Sequence, residues 1–251
     1  MPILYAITAA LKRGESGPAG RLISYELMSD IPRLEIPTIA ISGTTARFPV
    51  RRIFCVGRNY AEHAREMGSD PDRDPPFFFS KPADAVVDSG RRLPFPTKTA
   101  ELHHEVEMVI ALGAGGVDVK PKDAPSMIFG YAVGIDLTRR DLQAQAKKAG
   151  RPWDMSKGFD HSAPVGPLRR GAPPSDAAIT LTVDGRVRQS GDLKDMIWSV
   201  ADIIGFLSAY VAVAAGDLIF TGTPAGVGPI RRGEQVRGSI AGIEPVDIAF
   251  E

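Results

Sequence analysis

The stretch Glu101–Leu112 constrains the fold most, because it has the pattern of a strand with two chemically different faces. Side chains alternate along an extended backbone, so the apolar residues Val106, Met108, Ile110 and Leu112 point to one face. The opposite face carries the carboxylates of Glu105 and Glu107. The apolar face is expected to pack against a core, and that packing would decide where the two carboxylates point.

The Glu105/Glu107 pair has two interpretations. Residues two apart on a strand have Cβ atoms roughly 7 Å apart, so the two charges repel, and one carboxyl takes up a proton unless a cation lies between them. A hard divalent cation such as Mg²⁺ meets that need and leaves positions open for a substrate. The alternative is the ordinary polar side of an amphipathic strand, so the pair indicates a metal site only in combination with other residues.

The composition argues against several partners. Lys plus Arg and Asp plus Glu each total 30 in 251 residues, and this zero net charge argues against nucleic acid or an anionic membrane as the main partner. The single cysteine, Cys55, leaves no internal disulfide and fits a reducing, cytoplasmic location. No run approaches the roughly 18 apolar residues that span a bilayer. The 26 Gly and 21 Pro predict many turns, as in a strand-rich protein.

Further periodic segments predict more strand than helix. Strands are predicted at Arg52–Gly57, Phe77–Pro82, Ile128–Ile135 and Asp217–Thr221, with a hairpin at Ile179–Arg188 and two edge-like strands within Gln235–Phe250. Helices are predicted from a Thr138 cap to about Ala149 and within Ile197–Ala214. The segment Trp153–Phe159, which contains Lys157, is predicted to be a loop.

Several polar residues stand where ligands are commonly bound. Asp136 follows a predicted strand, and Arg140 and Gln143 lie three apart on one face of the next helix. His63 and Glu66 are also three apart, on a short predicted helix, and a carboxylate beside an imidazole orients it into a pair that can activate water. On spacing alone, an exposed helical salt bridge explains the His63/Glu66 pair equally well.

A series of motifs resembles the fumarylacetoacetate hydrolase family, in particular its shorter acylpyruvase and fumarylpyruvate hydrolase members. The motifs are Gly57–Met67, Leu102–Glu107, Gly134–Thr138, Arg140–Gln143, Ser156–Phe159 and Phe220–Gly228. The resemblance covers residues 48–251 and implies an α+β, β-rich catalytic domain, a mixed β-sandwich roll of the family's C-terminal type with short helices and a lid. Residues 1–47 would form an N-terminal segment beside it, and the protein would be a homodimer.

The resemblance also implies a role for each motif residue. A Mg²⁺ or Mn²⁺ ion would be held by Glu105, Glu107 and Asp136. The catalytic residues would be the water-activating dyad His63 and Glu66 and the cationic stabiliser Lys157. The substrate contacts would be Arg140, Gln143 and Thr223, of which Thr223 would touch the substrate carboxylate. Arg58 and Asn59, just before the dyad, are further candidates.

The implied activity is hydrolysis of the C–C bond of an acylpyruvate, R-CO-CH₂-CO-COO⁻, such as fumarylpyruvate, as in aromatic catabolism. The products are pyruvate and a carboxylic acid, so the expected partner is a small anionic 2-oxo acid. One alternative at the same site is oxaloacetate decarboxylation, or another lyase or isomerase reaction of a 2-oxo acid. A second alternative is a catalytically silent metal-binding relative, which the presence of every motif residue argues against.

Overall fold

Short strands make up most of the fold. The computed structural model describes residues 32, 34–62 and 75–251. The strands, numbered in chain order, are β1 Thr38–Ala40, β2 Arg47–Pro49, β3 Arg52–Gly57, β4 Phe77–Lys81, β5 Val86–Asp88, β6 Arg91–Leu93, β7 Leu102–His104, β8 Val106–Leu112, β9 Ile128–Ile135, β10 Thr138–Arg139, β11 Ala163–Val165, β12 Arg169–Arg170, β13 Ala178–Val183, β14 Arg186–Asp192, β15 Asp217–Phe220, β16 Gly228–Ile230, β17 Gln235–Ile240 and β18 Val246–Phe250.

The described helices are few and short. They are α1 Arg140–Ala149, α2 Asp154–Lys157 and α3 Val200–Tyr210, with 3₁₀ turns at Ala83–Ala85, Ala124–Met127 and Leu193–Asp195. Helix α3 begins at a capping box, in which the Ser199 hydroxyl accepts from Asp202 N and the Asp202 carboxylate accepts from Ser199 N. Helix α1 ends at Gly150, whose φ of 60° is left-handed. None of these helices is long and apolar enough to cross a membrane.

Two sheets pack face to face around the main core. The larger sheet has the order β4-β3-β15-β8-β9-β11-β5, with β12 also paired to β9, and the smaller one has the order β14-β13-β17-β18-β6. The pairs β3–β15, β5–β11 and β6–β18 are parallel, whereas the other pairs in these sheets are antiparallel. Met108 and Ile110 of the larger sheet meet Leu181 and Ile248 of the smaller one in a single apolar cluster. The predicted fold class, a β-rich mixed sandwich with short helices, is confirmed.

The central strand β8 is buried on both faces. Its side chains at Val106, Met108, Ile110 and Leu112 enter the cluster between the sheets, as predicted. The other face is not exposed, because Val109 and Ala111 pack with Phe220 in a second apolar cluster. Glu107 projects from this second face and therefore lies in the interior rather than on a solvated surface. The predicted single strand Glu101–Leu112 is divided at Glu105 into β7 and β8.

Some predicted elements differ from the structure. Thr138 does not cap α1 but pairs in β10, and Asp141 instead accepts hydrogen bonds from Thr99 Oγ1 and Ala100 N. Part of the predicted loop Trp153–Phe159 is the helix α2. The two strands within Gln235–Phe250 are not edges, because β17 lies between β13 and β18, and β18 lies between β17 and β6. Period-2 alternation indicates a strand but carries no information about its neighbours.

Other predictions concern residues outside the described ones. The N-terminal segment 1–47 is described only in part, and its packing beside the catalytic domain stays a prediction. Of the helix predicted to carry His63 and Glu66, the structure describes only the start, up to Glu62, and the lid also stays a prediction. The described residues from Ile36 to Glu251 belong to one compact unit.

Candidate active site

Three carboxylates converge where two adjacent strands of the larger sheet reach their ends. Glu105 precedes β8, Glu107 lies within it, and Asp136 follows its antiparallel neighbour β9. A backbone hydrogen bond of 2.8 Å from Asp136 N to Glu105 O fixes the two strand ends together. One carboxylate oxygen of each residue lies within 4.8 Å of the others, and all three side chains are buried. The structure thus brings together the three residues that the sequence predicts as metal ligands.

The electrostatics of this carboxylate triad favour a bound cation. Burial raises the pKa of Glu107 well above its ordinary value, and the charges of Asp136 and Glu105 raise it further. Glu107 accepts a 2.6 Å hydrogen bond from Gly222 N, which offsets only part of this rise in its pKa. Asp136 Oδ1 is buried and accepts no hydrogen bond of good geometry from the described residues. Oxygen donors at this spacing suit a divalent cation of the Mg²⁺ or Mn²⁺ type.

Lys157 bridges two members of the triad. Helix α2 places its Nζ 2.8 Å from Glu105 Oε2 and 2.7 Å from Asp136 Oδ2, with only 2% of the residue exposed. Burial by itself would lower the pKa of Lys157, but the charges of Asp136 and Glu105 outweigh burial and raise it. The ammonium group is therefore held charged beside the carboxylates, where it can stabilise negative charge on a ligand.

Lys81 is a second buried lysine at the triad, and no motif in the sequence assigns it to the site. Its Nζ lies 2.8 Å from Asp136 Oδ1, as an ion pair, and donates to the carbonyl oxygens of Leu137 and Lys157. The side chain has no exposure. The only sequence signal is a lysine that ends the aromatic strand β4, a position that could equally face solvent.

Arg140 and Gln143 adjoin the triad from the first turn of α1. The Arg140 guanidinium contacts Glu105 Oε1, donates to Gln143 Oε1 over 2.6 Å and approaches His103 Nδ1 at 3.3 Å. Burial and the charge of Arg140 lower the pKa of His103 to about 4, so this imidazole is neutral near pH 7 and accepts from the guanidinium. The predicted grouping of Arg140 and Gln143 on one helix face is present.

Cationic and aromatic side chains surround the opening above the triad. The cavity is lined by Arg58, Phe77, Phe79, Glu105, Glu107, Arg140, Gln143, Lys147, Trp153, Lys157 and Thr223, together with Val56 and Gly57. The guanidinium of Arg58 lies 5.4 Å from the ring centre of Phe77, and the ammonium of Lys147 lies 5.3 Å from that of Trp153. Such a lining attracts a small anion.

Of two predicted substrate contacts, Thr223 and Asn59, only Thr223 lines the cavity. Thr223, in the loop that follows β15, lines the cavity. Asn59 does not line it, because its amide is taken up by backbone groups: Nδ2 donates to Trp198 O and Thr221 O, and Oδ1 accepts from Trp198 N. Asn59 thus ties the end of β3 to the loop after β15. His63 and Glu66 lie outside the described residues, so their catalytic roles stay predictions.

The sequence also matches a family model, described as fumarylacetoacetate (FAA) hydrolase, C-terminal, over residues 52–248. The chain belongs to the fumarylacetoacetate hydrolase family. That match spans β3 to β18 and includes the whole carboxylate triad.

Solved and characterised members of the fumarylacetoacetate hydrolase family resemble this chain closely. Fumarylpyruvate hydrolase from Pseudomonas aeruginosa, crystallised with Mn²⁺ and pyruvate, is 49% identical with a TM-score of 0.85, over 88% of this chain and 98% of that one. A mitochondrial oxaloacetate tautomerase of Arabidopsis thaliana is 39% identical over 203 residues, 80% of this chain and 91% of that protein. A mitochondrial oxaloacetate decarboxylase of Dictyostelium discoideum is 37% identical over 205 residues, 80% of this chain and 93% of that protein.

The predicted cofactor, Mg²⁺ or Mn²⁺, is confirmed in kind. A close structural relative holds Mn²⁺, and the triad of Glu105, Glu107 and Asp136 supplies a donor set that fits such an ion. The chain thus combines the fumarylacetoacetate hydrolase fold with three buried carboxylates that could hold a divalent metal.

Proposed function

We propose that this protein hydrolyses the C–C bond of an acylpyruvate, such as fumarylpyruvate, to pyruvate and a carboxylic acid. The proposal is supported by the resemblance to a fumarylpyruvate hydrolase that was crystallised with Mn²⁺ and pyruvate. This resemblance is the observation that favours hydrolysis, and the charge balance around the carboxylate triad supports the enolate-forming step.

Three cationic side chains, Lys81, Lys157 and Arg140, contact the triad and offset its three negative charges. A bound dication then leaves two positive charges in excess in a buried site, and a dianion neutralises them. The enolate of pyruvate is such a dianion, with a carboxylate and an enolate oxygen. An intact acylpyruvate has only the carboxylate at this end, so the attraction increases as the C–C bond breaks.

In the proposed reaction, Arg140 and Lys157 hold the anionic 2-oxo acid end of the substrate. His63, oriented by Glu66, takes a proton from a water molecule whose oxygen bonds to the distal carbonyl carbon. The bond from that carbon to the methylene carbon then breaks, and its electron pair stays on the pyruvate part as the enolate. The proton on His63 passes to the methylene carbon, which completes pyruvate. When bound, Mg²⁺ or Mn²⁺ supplies Lewis-acid stabilisation of this negative charge.

A second candidate is a reaction of oxaloacetate, either tautomerisation or decarboxylation. It is favoured by two relatives, the oxaloacetate tautomerase of Arabidopsis thaliana and the oxaloacetate decarboxylase of Dictyostelium discoideum. Both reactions of oxaloacetate pass through an enol or enolate next to a carboxylate, which the same charge excess would stabilise. Neither reaction requires an attacking water, and this difference separates the two candidates.

The deciding experiment measures substrate loss and pyruvate release for fumarylpyruvate, acetylpyruvate, fumarylacetoacetate and oxaloacetate, with Mn²⁺, with Mg²⁺ and after chelation. Substrate loss is needed because fumarylacetoacetate yields acetoacetate instead of pyruvate. The enol absorbance of oxaloacetate is followed as well, because tautomerisation releases no pyruvate. The proposal expects fumarylpyruvate or acetylpyruvate to be the best substrate and chelation to abolish turnover. The same assays on His63→Ala are expected to lose acylpyruvate hydrolysis, whereas any decarboxylation falls much less. Oxaloacetate as the only substrate would refute the hydrolase proposal, and no turnover of any substrate would favour a silent relative.

We further propose that the enzyme acts in the cytoplasm as a homodimer. The single cysteine, Cys55, is buried and unpaired, as expected in a reducing compartment. Light scattering after size-exclusion chromatography tests the dimer, because a mass equal to the 26.9 kDa of one chain would contradict it.

A further inference from the structure

Gln189 is a buried polar residue on a strand that is otherwise largely exposed. Only 1% of it is accessible, whereas its neighbours in β14 face solvent. Its side-chain amide makes four contacts within hydrogen-bond distance, with Val106 N at 3.1 Å, His104 Nδ1 at 2.9 Å, Thr223 Oγ1 at 2.8 Å and Pro224 O at 2.9 Å. These contacts use both donors and both acceptor positions that a glutamine amide possesses.

Two of these contacts fix the orientation of the amide. The backbone N–H of Val106 can only donate, so the atom of Gln189 that faces it is the oxygen. The carbonyl of Pro224 can only accept, so the atom that faces it is the nitrogen. If the amide were flipped, the Gln189 NH₂ group would face the N–H of Val106, and the Gln189 oxygen would face the carbonyl oxygen of Pro224, so neither contact could be a hydrogen bond. His104 Nδ1 therefore donates to Gln189, and Thr223 Oγ1 accepts from it.

This orientation determines what the Thr223 hydroxyl can do. Its oxygen accepts from Gln189 Nε2, and no described residue accepts its hydrogen. Thr223 lines the cavity together with Glu105, Lys157 and Arg140. A hydroxyl that accepts on its inner side is left with its hydrogen as a donor on the other side, toward the cavity.

Two glycines allow the backbone contact on which this arrangement depends. A Cβ at Gly191 would lie 2.7 Å from Pro224 Cβ, and a Cβ at Gly226 would collide with the carbonyl oxygen of Arg188. Gly226 also has a φ of 92°, which only glycine adopts without strain. Strand β14 and the loop after β15 are thus in close contact on both sides of Gln189.

We propose that Gln189 is a positioning residue for ligand binding: its amide orients the Thr223 hydroxyl so that this group donates to a carboxylate oxygen of the bound 2-oxo acid. The inference rests on the proposed function only in taking a small carboxylate as the ligand. A hydrogen bond to an anionic oxygen is charge-assisted, and its loss weakens binding by about tenfold or more.

A double-mutant cycle on ligand binding tests this role without requiring turnover. Calorimetry in saturating Mn²⁺ measures the affinity for oxalate of the wild type, Gln189→Glu, Thr223→Val and the double variant. At position 189 a carboxylate would accept the Thr223 hydrogen and so withdraw the donor from the cavity. The new negative charge repels oxalate in both backgrounds, so it cancels in the comparison. Thr223→Ser, which keeps the hydroxyl, is the matched conservative variant.

Thr223→Val is expected to weaken oxalate binding about tenfold, and Thr223→Ser by less than about threefold. Gln189→Glu is expected to weaken binding at least about fivefold more in the Thr223 protein than in the Thr223→Val background. A ratio below about threefold would show that Gln189 acts through general structure, and would overturn the inference. Thermal unfolding and titration with Mn²⁺ alone separate misfolding from a local effect, because neither side chain hydrogen-bonds to Glu107 or Asp136 in the described structure.

The outcome is distinguishable from a failure of the proposed function. Absence of acylpyruvate hydrolysis together with strong coupling would refute the hydrolase proposal and leave the role of Gln189 intact. Acylpyruvate hydrolysis without coupling between Gln189 and Thr223 would support the hydrolase proposal and refute the role of Gln189.

Discussion

Removal of the Lys81 ammonium should destabilise the protein strongly, because it leaves a buried carboxylate without its partner. The methionine side chain of Lys81→Met is similar in length to lysine. Asp136 Oδ1 nevertheless loses an ion pair of 2.8 Å, and the carbonyl oxygen of Leu137 loses its hydrogen-bond donor. Loss of one partner from a buried pair costs about 3–5 kcal/mol. We expect the lower end, about 3 kcal/mol, since Lys157 still contacts Asp136 Oδ2.

The matched control is Lys194→Met, which removes an exposed lysine that is 3.6 Å from Asp192. An exposed pair of this kind contributes less than about 1 kcal/mol. For a chain of this size, each kcal/mol lowers Tm by about 2–4 °C, so Lys81→Met should lower Tm by about 6–12 °C and the control by less than about 4 °C.

Circular dichroism measures the Tm of both variants and of the wild type after the metal has been removed by a chelator. When the measurement is repeated with saturating Mn²⁺, the difference in Tm between Lys81→Met and the wild type should become smaller. The reason is that a dication at Asp136 replaces part of the lost positive charge. Equal Tm values for Lys81→Met and the control would refute the reasoning, as would a deficit that Mn²⁺ enlarges.

Four further predictions concern the metal site and the packing around two glycines. Asp136→Asn should weaken Mn²⁺ binding by more than about 100-fold in calorimetry, since even outer partners of metal ligands are worth roughly 10–100-fold; unchanged affinity would contradict the triad. The pKa of Glu107 is raised, so protons compete with the cation, and Mn²⁺ should bind more weakly at about pH 5 than at about pH 8; a pH-independent affinity would contradict this. Gly134→Ala should cost about 1–3 kcal/mol in urea unfolding, because its Cβ would lie 2.5 Å from Val109 Cγ2. Gly205→Ala, whose Cβ meets nothing nearer than 3.4 Å, should instead stabilise α3 by about 0.5–1 kcal/mol.

Residues whose role depends on local order were predictable. The alternation along residues 105–112 placed Glu105 and Glu107 opposite the apolar face of β8, because successive side chains of an extended chain point to opposite sides. The three-residue spacing of Arg140 and Gln143 placed both on one face of α1, because a helical turn has 3.6 residues. Asp136 was a candidate because it follows a strand, whereas its metal-binding role and the role of Lys157 came from the family resemblance.

Residues whose role depends on distant contacts were not predictable in the same way. Lys81 reaches the triad only because β4 pairs with β3 and lies beside α2. Asn59 looked like a substrate contact, but tertiary packing engages its amide with Trp198 and Thr221. The strands β17 and β18 looked like edges, yet they acquire neighbours that no local pattern specifies.

By itself, the sequence of this protein determined strand and helix periodicity, the positions of the acidic pair and, through its motifs, the family. The tertiary structure alone decided that the second face of β8 is buried, that two lysines rather than one reach the triad, and that Gln189 lies behind Thr223. The physical reason is that periodicity is a property of neighbouring residues, whereas burial and charge pairing depend on which distant strands pack together.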